Sequence, residues 1–173
     1  MRGMGDFLVR EGVWEKNPMR WMRGPKVTPY SRLPLRLDRA DVEALWNAAA
    51  ESRGAYRRSL WLTVLALLYG TGLRRGELSR LRVADWDREL GTILVDGRKT
   101  GRERRVPVPE LTYRCIETLL PLRHNELVRA GSAEAAELLV GSDGRPLSAE
   151  AISMGVHRLA RRAGIELASL HQF

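Results

Sequence analysis

The segment from residue 56 to residue 69 restricts the fold of this 173-residue chain more than any other part of it. Its apolar side chains fall on most faces of the helix that their spacing predicts. They are Leu60, Trp61, Val64, Leu65, Leu67 and Leu68. A helix that is apolar on most sides has to be surrounded by other elements. The sequence therefore predicts a central core helix, which Gly70 and Gly72 end because glycine readily adopts the backbone conformation that closes a helix.

Most of the other segments also follow a helical period. Predicted helices cover residues 41–51 after an N-cap at Asp38, residues 73–82, a segment that starts at Pro109 and is bent or ended by Pro121, and a segment from Ser148 to Gly164. Residues 92–95 and 105–108 predict two strands around a Gly-rich turn, residues 138–140 a further short strand and residues 85–87 a turn. The predicted fold class is mainly α with a small antiparallel β-hairpin or sheet (α+β).

The charge of the chain indicates a polyanionic partner. A formal net charge of +8 favours nucleic acid or an anionic membrane surface. The longest apolar run, residues 60–69, is too short to span a membrane, and the first residues do not predict a secretory signal. Cys115 is the one cysteine, so no internal disulfide can form, and no His/Cys spacing predicts a zinc site. We therefore expect a cytoplasmic protein without a membrane partner or a bound metal.

The first forty residues differ in composition from the rest. Residues 6–14 predict one short amphipathic helix, whereas residues 18–37 contain four prolines, which exclude a helix or a central strand. Residues 16–39 carry seven Lys or Arg side chains and one acidic residue. This segment is either a solvated linker or a linker that contacts phosphates, and in the second case Lys26 and Arg32 are candidate DNA-binding residues.

Residues 70–78 read Gly-Thr-Gly-Leu-Arg-Arg-Gly-Glu-Leu. They follow the predicted core helix, and their glycines allow a sharp turn that presents Arg74 near the start of the next helix. A helix start offers unpaired N–H groups, and arginine adds a planar fork that can bind two phosphate oxygens. Glu77 is expected to hold the Arg74 side chain or to cap the helix. The alternative is an ordinary turn with a surface arginine.

Residues 97–109 read Gly-Arg-Lys-Thr-Gly-Arg-Glu-Arg-Arg-Val-Pro-Val-Pro. Lys99 lies at the predicted hairpin turn, and only three of the 29 cationic side chains are lysines. A lysine at this position is therefore less expected by chance. From the tip of the hairpin its side chain can reach a DNA groove while the two strands stay packed. Arg102, Arg104 and Arg105 can neutralise nearby phosphates. The alternative is a charged, solvated hairpin tip.

Together these two segments resemble catalytic segments of the tyrosine recombinases, the phage-integrase superfamily. The resemblance implies three parts: residues 1–22 as the last helix of an N-terminal core-binding (SAM-like) domain, 23–37 as a basic linker, and 38–173 as the first part of an integrase-type catalytic domain. In this family DNA is cut and rejoined through a covalent 3′-phosphotyrosine, without metal or nucleotide cofactor. The resemblance thus implies double-stranded DNA as partner, other protomers assembled on that DNA, and no cofactor.

The resemblance also implies a role for individual residues. Arg74 matches the first of two arginines that clamp the scissile phosphate, and Lys99 matches the acid that protonates the departing 5′ oxygen. His171 matches the histidine that opens the next catalytic motif. Arg75, beside Arg74, is expected to contact DNA. Such roles fit phosphoryl transfer, which needs stabilised charge, a protonated leaving group and a positioned nucleophile.

The nucleophile itself is not identified among the 173 residues. The family pattern places the second clamp arginine at position 174 and the tyrosine further on. The tyrosines present do not match that place; they are Tyr30, Tyr56, Tyr69 and Tyr113. We therefore expect these 173 residues to be a truncated, inactive DNA-binding fragment of a site-specific recombinase that acts in DNA integration or recombination.

Two other classes of protein stay open. A non-catalytic regulator could use residues 73–82 as the recognition helix of a helix-turn-helix, although such a regulator gives no reason for the lysine of the hairpin. A structural or interaction module with incidental basic charge is the third class. Weak DNA binding that does not respond to salt would favour this last class.

Overall fold

A computed structural model describes residues 2–18, 37–96, 103–132 and 135–165 of the chain. The chain forms two compact units, Met1–Leu33 and Pro34–Phe173. Unit 1 contains helix α1 (Arg2–Arg10). Unit 2 contains α2 (Arg39–Ala50), α3 (Ala55–Thr71), α4 (Arg75–Leu78), a 3-10 turn (Val83–Asp85), β1 (Trp86–Asp87), β2 (Thr92–Val95), β3 (Arg104–Pro107), α5 (Glu110–Arg129) and α6 (Ala149–Arg162). The assignment of residues 1–22, 23–37 and 38–173 to domains of a recombinase stays a prediction.

The first helix begins and ends earlier than the predicted range of 6–14. Gly12 adopts a positive φ of 74°, and its N–H donates to the carbonyl of Val9 at 3.1 Å, which ends α1 at Arg10. Glycine tolerates this left-handed conformation without a steric penalty. The amphipathic pattern was therefore read correctly, but the glycine determined the end of the helix.

Helix α3 is the centre of unit 2, as the sequence predicts. It packs against α2, α4, α5 and α6. Its buried residues are Tyr56, Ser59, Leu60, Trp61, Thr63, Val64, Leu65, Ala66, Leu67 and Leu68. The hydroxyl of Thr63 lies within hydrogen-bond distance of two carbonyls, those of Ser59 in its own helix and Cys115 in α5. Gly72, with a φ of 63°, caps the helix, whereas Gly70 lies inside it.

The sheet has three antiparallel strands in the order β1-β2-β3. The prediction of a turn at residues 85–87 was wrong, because Trp86–Asp87 forms a strand whose Trp86 pairs with Ile93 of β2. Burial of the indole explains this strand: Trp86 is 9% exposed and its Nε1 donates to Glu117 of α5. Strand β3 begins one residue earlier than predicted, and its Arg104 pairs with Val95.

Of the two alternatives at Pro121, a bend or an end of the helix, the structure excludes the end, and the strand predicted at residues 138–140 was wrong. Helix α5 continues through Pro121 to Arg129, because its buried stripe, which includes Leu119 and Leu127, extends on both sides of the proline. Residues 138–140 form no strand of their own; Val140 makes a single bridge with Pro146. These residues are buried in the core, which accounts for their strand-like apolar run.

The N-caps of α2 and α6 were predicted correctly. The Asp38 carboxylate accepts from the N–H of Asp41 at 2.8 Å, and the Ser148 hydroxyl accepts from the N–H of Ala151 at 3.1 Å. The predicted fold class, mainly α with a small antiparallel sheet, is confirmed. Among the described residues, no helix combines the length and the apolar character that crossing a membrane requires.

Candidate active site

The turn between α3 and α4 carries the first predicted catalytic residue. Leu73 and Leu78 are buried at 3% and 0% exposure, so both ends of the turn are anchored in the core. Arg74 lies between them as the N-cap of α4 with an extended backbone (φ −68°, ψ 149°). Its side chain is 64% exposed. The backbone position of Arg74 is therefore fixed by its neighbours, while its guanidinium faces solvent.

Helix α4 is shorter than the predicted helix over residues 73–82. It spans Arg75–Leu78, a single turn, after which the chain continues through looser turn bonds to Leu81. A helix dipole grows with the number of aligned peptide units, so one turn contributes little positive potential. Binding of a phosphate at this turn would thus depend on the guanidinium of Arg74 rather than on the helix N-terminus.

Glu77 connects this turn to the sheet. Its Oε2 accepts from the backbone N–H of Arg74 at 2.9 Å, and its Oε1 accepts from Arg74 Nη1 at 3.3 Å. Both carboxylate oxygens also accept from Arg104 of β3, Oε1 from Nη1 and Oε2 from Nη2, each at 3.0 Å. Glu77 thus both caps the helix and holds the Arg74 side chain, and it pairs in a fork with a second arginine.

The electrostatics of this cluster follow from these hydrogen bonds. The pKa of Glu77 is lowered, chiefly by the hydrogen bonds from Arg104, with smaller contributions from Arg74; partial burial opposes the shift. The pKa of Arg104 is raised, chiefly by its hydrogen bonds to Glu77. Glu77 is therefore ionised at neutral pH, and its charge is shared between two guanidinium groups.

Two of the other predicted DNA-binding residues also lie on the described surface. Arg75 Nη1 donates to the hydroxyl of Ser153 in α6 at 3.2 Å. Arg105 Nη1 donates to Asp87 Oδ2 and to the hydroxyl of Thr92, both at 3.2 Å, and its side chain is 54% exposed. Arg105 and Arg104 are adjacent in β3, so their side chains point to opposite faces of the sheet.

The remaining predicted site residues lie outside the described residues. They are Lys26, Arg32, Lys99, Arg102 and His171. The prediction that the Arg74 guanidinium and the Lys99 ammonium face one concave surface therefore stays a prediction.

The described tyrosines occupy ordinary structural positions. Tyr56 is 8% exposed, and its hydroxyl donates to the carbonyl of Val140 at 2.7 Å; burial raises its pKa to about 12. Tyr113 packs edge-on against Trp86, with ring centroids 5.2 Å apart. Tyr69 is 62% exposed at the end of α3. A buried tyrosine with a raised pKa is a poor nucleophile, which argues against Tyr56 in that role. Tyr30 lies outside the described residues.

Sequence reasoning assigned Arg104 to phosphates and missed its pairing with Glu77. The alternation of side chains in β3 is the signal that could have indicated it, because Arg104 lies on the same face as the half-buried Val106. A second missed residue is Arg123, which is 8% exposed and donates to the carbonyls of Ala135 and Glu137. Its place in the buried stripe of α5 is a comparable signal. Within the described parts of the chain, no group of His, Cys, Asp and Glu side chains could hold a metal ion.

Solved structures with this architecture define the class of fold. The Tn1549 transposon integrase in complex with transposon right end DNA matches with a TM-score of 0.70 at 18% identity, covering 99% of this chain and 60% of that one. The crystal structure of XerA recombinase matches with a TM-score of 0.69 at 21% identity, covering 96% of this chain and 54% of that one. The fold is thus that of a tyrosine recombinase catalytic domain, represented in part.

The chain belongs to the phage integrase family, whose family model matches residues 35–173. Among curated relatives, the tyrosine recombinase XerC of Stutzerimonas stutzeri (strain A1501) is 32% identical over 171 residues, which cover 99% of this chain and 52% of the relative. The chain therefore spans about half the length of the curated relatives that it matches. The resemblance found in the two sequence motifs is confirmed at the level of the family.

Proposed function

We propose that this chain belongs to a site-specific recombinase, that it binds duplex DNA, and that Arg74 binds a phosphate of the strand to be cut. In the whole protein, the chemistry would be strand cleavage and rejoining through a 3′-phosphotyrosine. Lys99 would protonate the departing oxygen, and His171 would assist proton transfer. Other protomers on the same DNA would complete the assembly. These roles come from the family motifs on which the residues lie.

One observation carries the proposal: the guanidinium of Arg74 is mostly exposed, while packing against the core fixes the backbone of this residue. Leu73 and Leu78 anchor the turn, and Glu77 fixes the N–H of Arg74 between them. A backbone held in this way does not have to be reordered when its side chain takes up a ligand. Arginine is also the side chain whose planar fork fits two oxygens of one phosphate.

Exposed arginines beside Arg74 and elsewhere on unit 2 support a DNA partner. Arg75 lies next to it in α4, and Arg105 is more than half exposed on the sheet. Together with the net charge of +8, these groups favour a polyanion. The match to an integrase whose structure contains transposon DNA points to the same class of partner.

The helix-turn-helix alternative has less support. A recognition helix has to lie in the major groove and present several side chains to base edges. Helix α4 has four residues and therefore offers a single turn. The arrangement of Arg74, Glu77 and Arg104 instead suits recognition of a phosphate, which carries no sequence information by itself.

Replacement of Arg74 tests the proposal, and Arg129 offers a matched control. Arg129 pairs with Glu126 three residues away, and the two side chains are 67% and 12% exposed, against 64% and 11% for Arg74 and Glu77. Both Arg74→Ala and Arg129→Ala remove one charge and one ion pair between an exposed arginine and a largely buried glutamate. We expect Arg74→Ala to weaken binding of a labelled duplex and to reduce the salt slope by about 1, because one phosphate contact is lost. Arg129→Ala should leave both nearly unchanged.

Equal effects of the two substitutions, measured in the same buffer, would contradict the proposed role of Arg74. DNA binding by the parent chain that does not change with salt concentration would contradict the proposed partner as well.

A further inference from the structure

The carboxylate of Glu77 creates an electrostatic problem for a phosphate site at Arg74. Its Oε1 lies 3.3 Å from Arg74 Nη1, on the same guanidinium that would bind the phosphate. A phosphate on Arg74 would therefore lie close to a carboxylate, and two negative charges at such a separation repel each other. Glu77 is also 11% exposed, so water screens this repulsion only weakly.

The turn nevertheless depends on Glu77. Its Oε2 accepts from the N–H of Arg74 at 2.9 Å, which satisfies a backbone donor at the start of α4. This bond keeps the backbone of Arg74 in its extended conformation. An acceptor is therefore needed at position 77, while its negative charge is unfavourable for a phosphate.

Arg104 resolves this conflict. It reaches Glu77 from β3, a separate element, and donates one hydrogen bond to each carboxylate oxygen at 3.0 Å. The fork geometry makes this pair stronger than the single, longer side-chain contact from Arg74. Among the described residues, Arg104 and Arg74 are the charged groups that shift the pKa of Glu77, and α6, which also packs on α4, contacts that turn through Ser153 and Arg75.

We propose that Arg104 is a positioning residue whose guanidinium neutralises Glu77, so that Arg74 can exchange its contact with Glu77 for a phosphate oxygen. When the phosphate arrives, the contact between Arg74 Nη1 and Glu77 Oε1 gives way. The fork between Glu77 and Arg104 remains, and the carboxylate keeps the Arg74 N–H. This inference rests on the proposed phosphate site at Arg74, and it changes the role of Arg104 from a contact with DNA to a counter-charge within the protein.

A double-substitution experiment on the 173-residue chain tests this role. Arg104→Met keeps much of the aliphatic bulk and removes the charge, and Glu77→Gln keeps an acceptor oxygen for the turn and removes the repulsion. We expect Arg104→Met to weaken binding of a short labelled duplex about fivefold more than the control Arg88→Met, a difference typical of one charge interaction. Arg88, which follows the opposite edge strand β1, makes a similar fork on Glu117 of α5.

Restoration of affinity is the decisive readout. The combination of Arg104→Met with Glu77→Gln should recover the affinity of the Arg88→Met control, and Arg104→Lys should retain part of it. In an Arg74→Ala background, Arg104→Met should have no effect beyond that of Arg88→Met. A merely structural role would leave the affinity low in the combined variant. Circular dichroism and melting temperatures of every variant check that the fold is retained.

The possible outcomes separate this inference from the proposed function. If Arg74→Ala weakens binding but Arg104→Met behaves like Arg88→Met, only the role of Arg104 is overturned. If Glu77→Gln fails to restore affinity, or if Arg104→Met is equally harmful in the Arg74→Ala background, Arg104 contacts DNA directly or serves the fold. If Arg74→Ala behaves like Arg129→Ala, the phosphate site and the inference built on it are both overturned.

Discussion

Gly155 in α6 lies directly against the indole ring of Trp61 in α3. A Cβ atom at position 155 would be 1.7 Å from Cη2 of that ring and 2.4 Å from Cζ3, which is a severe steric clash between non-bonded atoms. Trp61 is 7% exposed, so the ring cannot move into solvent without loss of buried area. The glycine therefore allows α6 to approach the central helix, and this close contact offsets the cost of about 1 kcal/mol of glycine in a helix.

Gly155→Ala should consequently destabilise the chain. We expect the free energy of unfolding to fall by about 1–3 kcal/mol, since the methyl group forces α6 or the indole ring to shift. Urea unfolding followed by tryptophan fluorescence measures this change. Gly76→Ala is the control, because a Cβ there meets only Arg80 Nη1 at 3.5 Å; it should be neutral or slightly stabilising. A neutral Gly155→Ala would show that α6 and the indole ring of Trp61 leave room for a methyl group.

Ionisation of Tyr56 should lower the free energy of unfolding at alkaline pH. Burial raises its pKa to about 12, above the ordinary tyrosine value of about 10. The folded chain holds this proton more tightly than the unfolded chain does. The stabilisation that protonated Tyr56 provides is therefore fully present below pH about 10 and is lost as the pH rises through about 12. Tyr56→Phe should cost about 1 kcal/mol at neutral pH, since the Val140 carbonyl loses its donor, and should flatten the alkaline decrease.

The measurement for Tyr56 is denaturant unfolding at neutral and alkaline pH. Tyr69→Phe, at a position that is 62% exposed, is the control and should change the neutral-pH stability little. If Tyr56→Phe loses stability at alkaline pH as steeply as the unsubstituted chain, the loss comes from other groups.

DNA binding should weaken steeply with salt. If the basic residues contact about six phosphates, the logarithm of the association constant should fall with the logarithm of the salt concentration with a slope of about −5. Fluorescence anisotropy of a labelled duplex across a salt series measures the slope. A slope near zero would remove the electrostatic account of binding that follows from the net charge of +8.

The 173 residues by themselves should not form a covalent adduct with DNA. Tyr56 is buried and hydrogen-bonded, Tyr113 packs on Trp86, and from the sequence motifs we expect no tyrosine of these residues to take the family's nucleophile position. Without a positioned nucleophile, the covalent route is closed. The test is incubation with nicked suicide substrates, followed by electrophoresis in denaturant. A retained protein–DNA band that disappears when Tyr30, Tyr56, Tyr69 or Tyr113 is replaced by Phe would show that the nucleophile lies within these residues.

Several features of the fold could be predicted because their cause lies within one segment. The apolar faces of residues 56–69 require a central helix, and Asp38 and Ser148 cap helices through bonds to residues three positions away. The ends of other elements were less predictable. Pro121 would end an isolated helix, but the buried stripe of α5 extends it, and Trp86 enters the sheet because its indole is buried.

The candidate site divides in the same way. The glycine-rich turn and the spacing from Arg74 to Glu77 predicted a presented arginine held by a carboxylate, and both contacts are local. The pairing of Glu77 with Arg104 joins residues 27 positions apart, and that of Trp61 with Gly155 joins α3 to α6. The sequence by itself determined which segments are helices and which charges stand at the turn, because these depend on neighbouring residues. Only the tertiary structure decided which distant groups meet, because packing of the shared core fixes the positions of the separate segments.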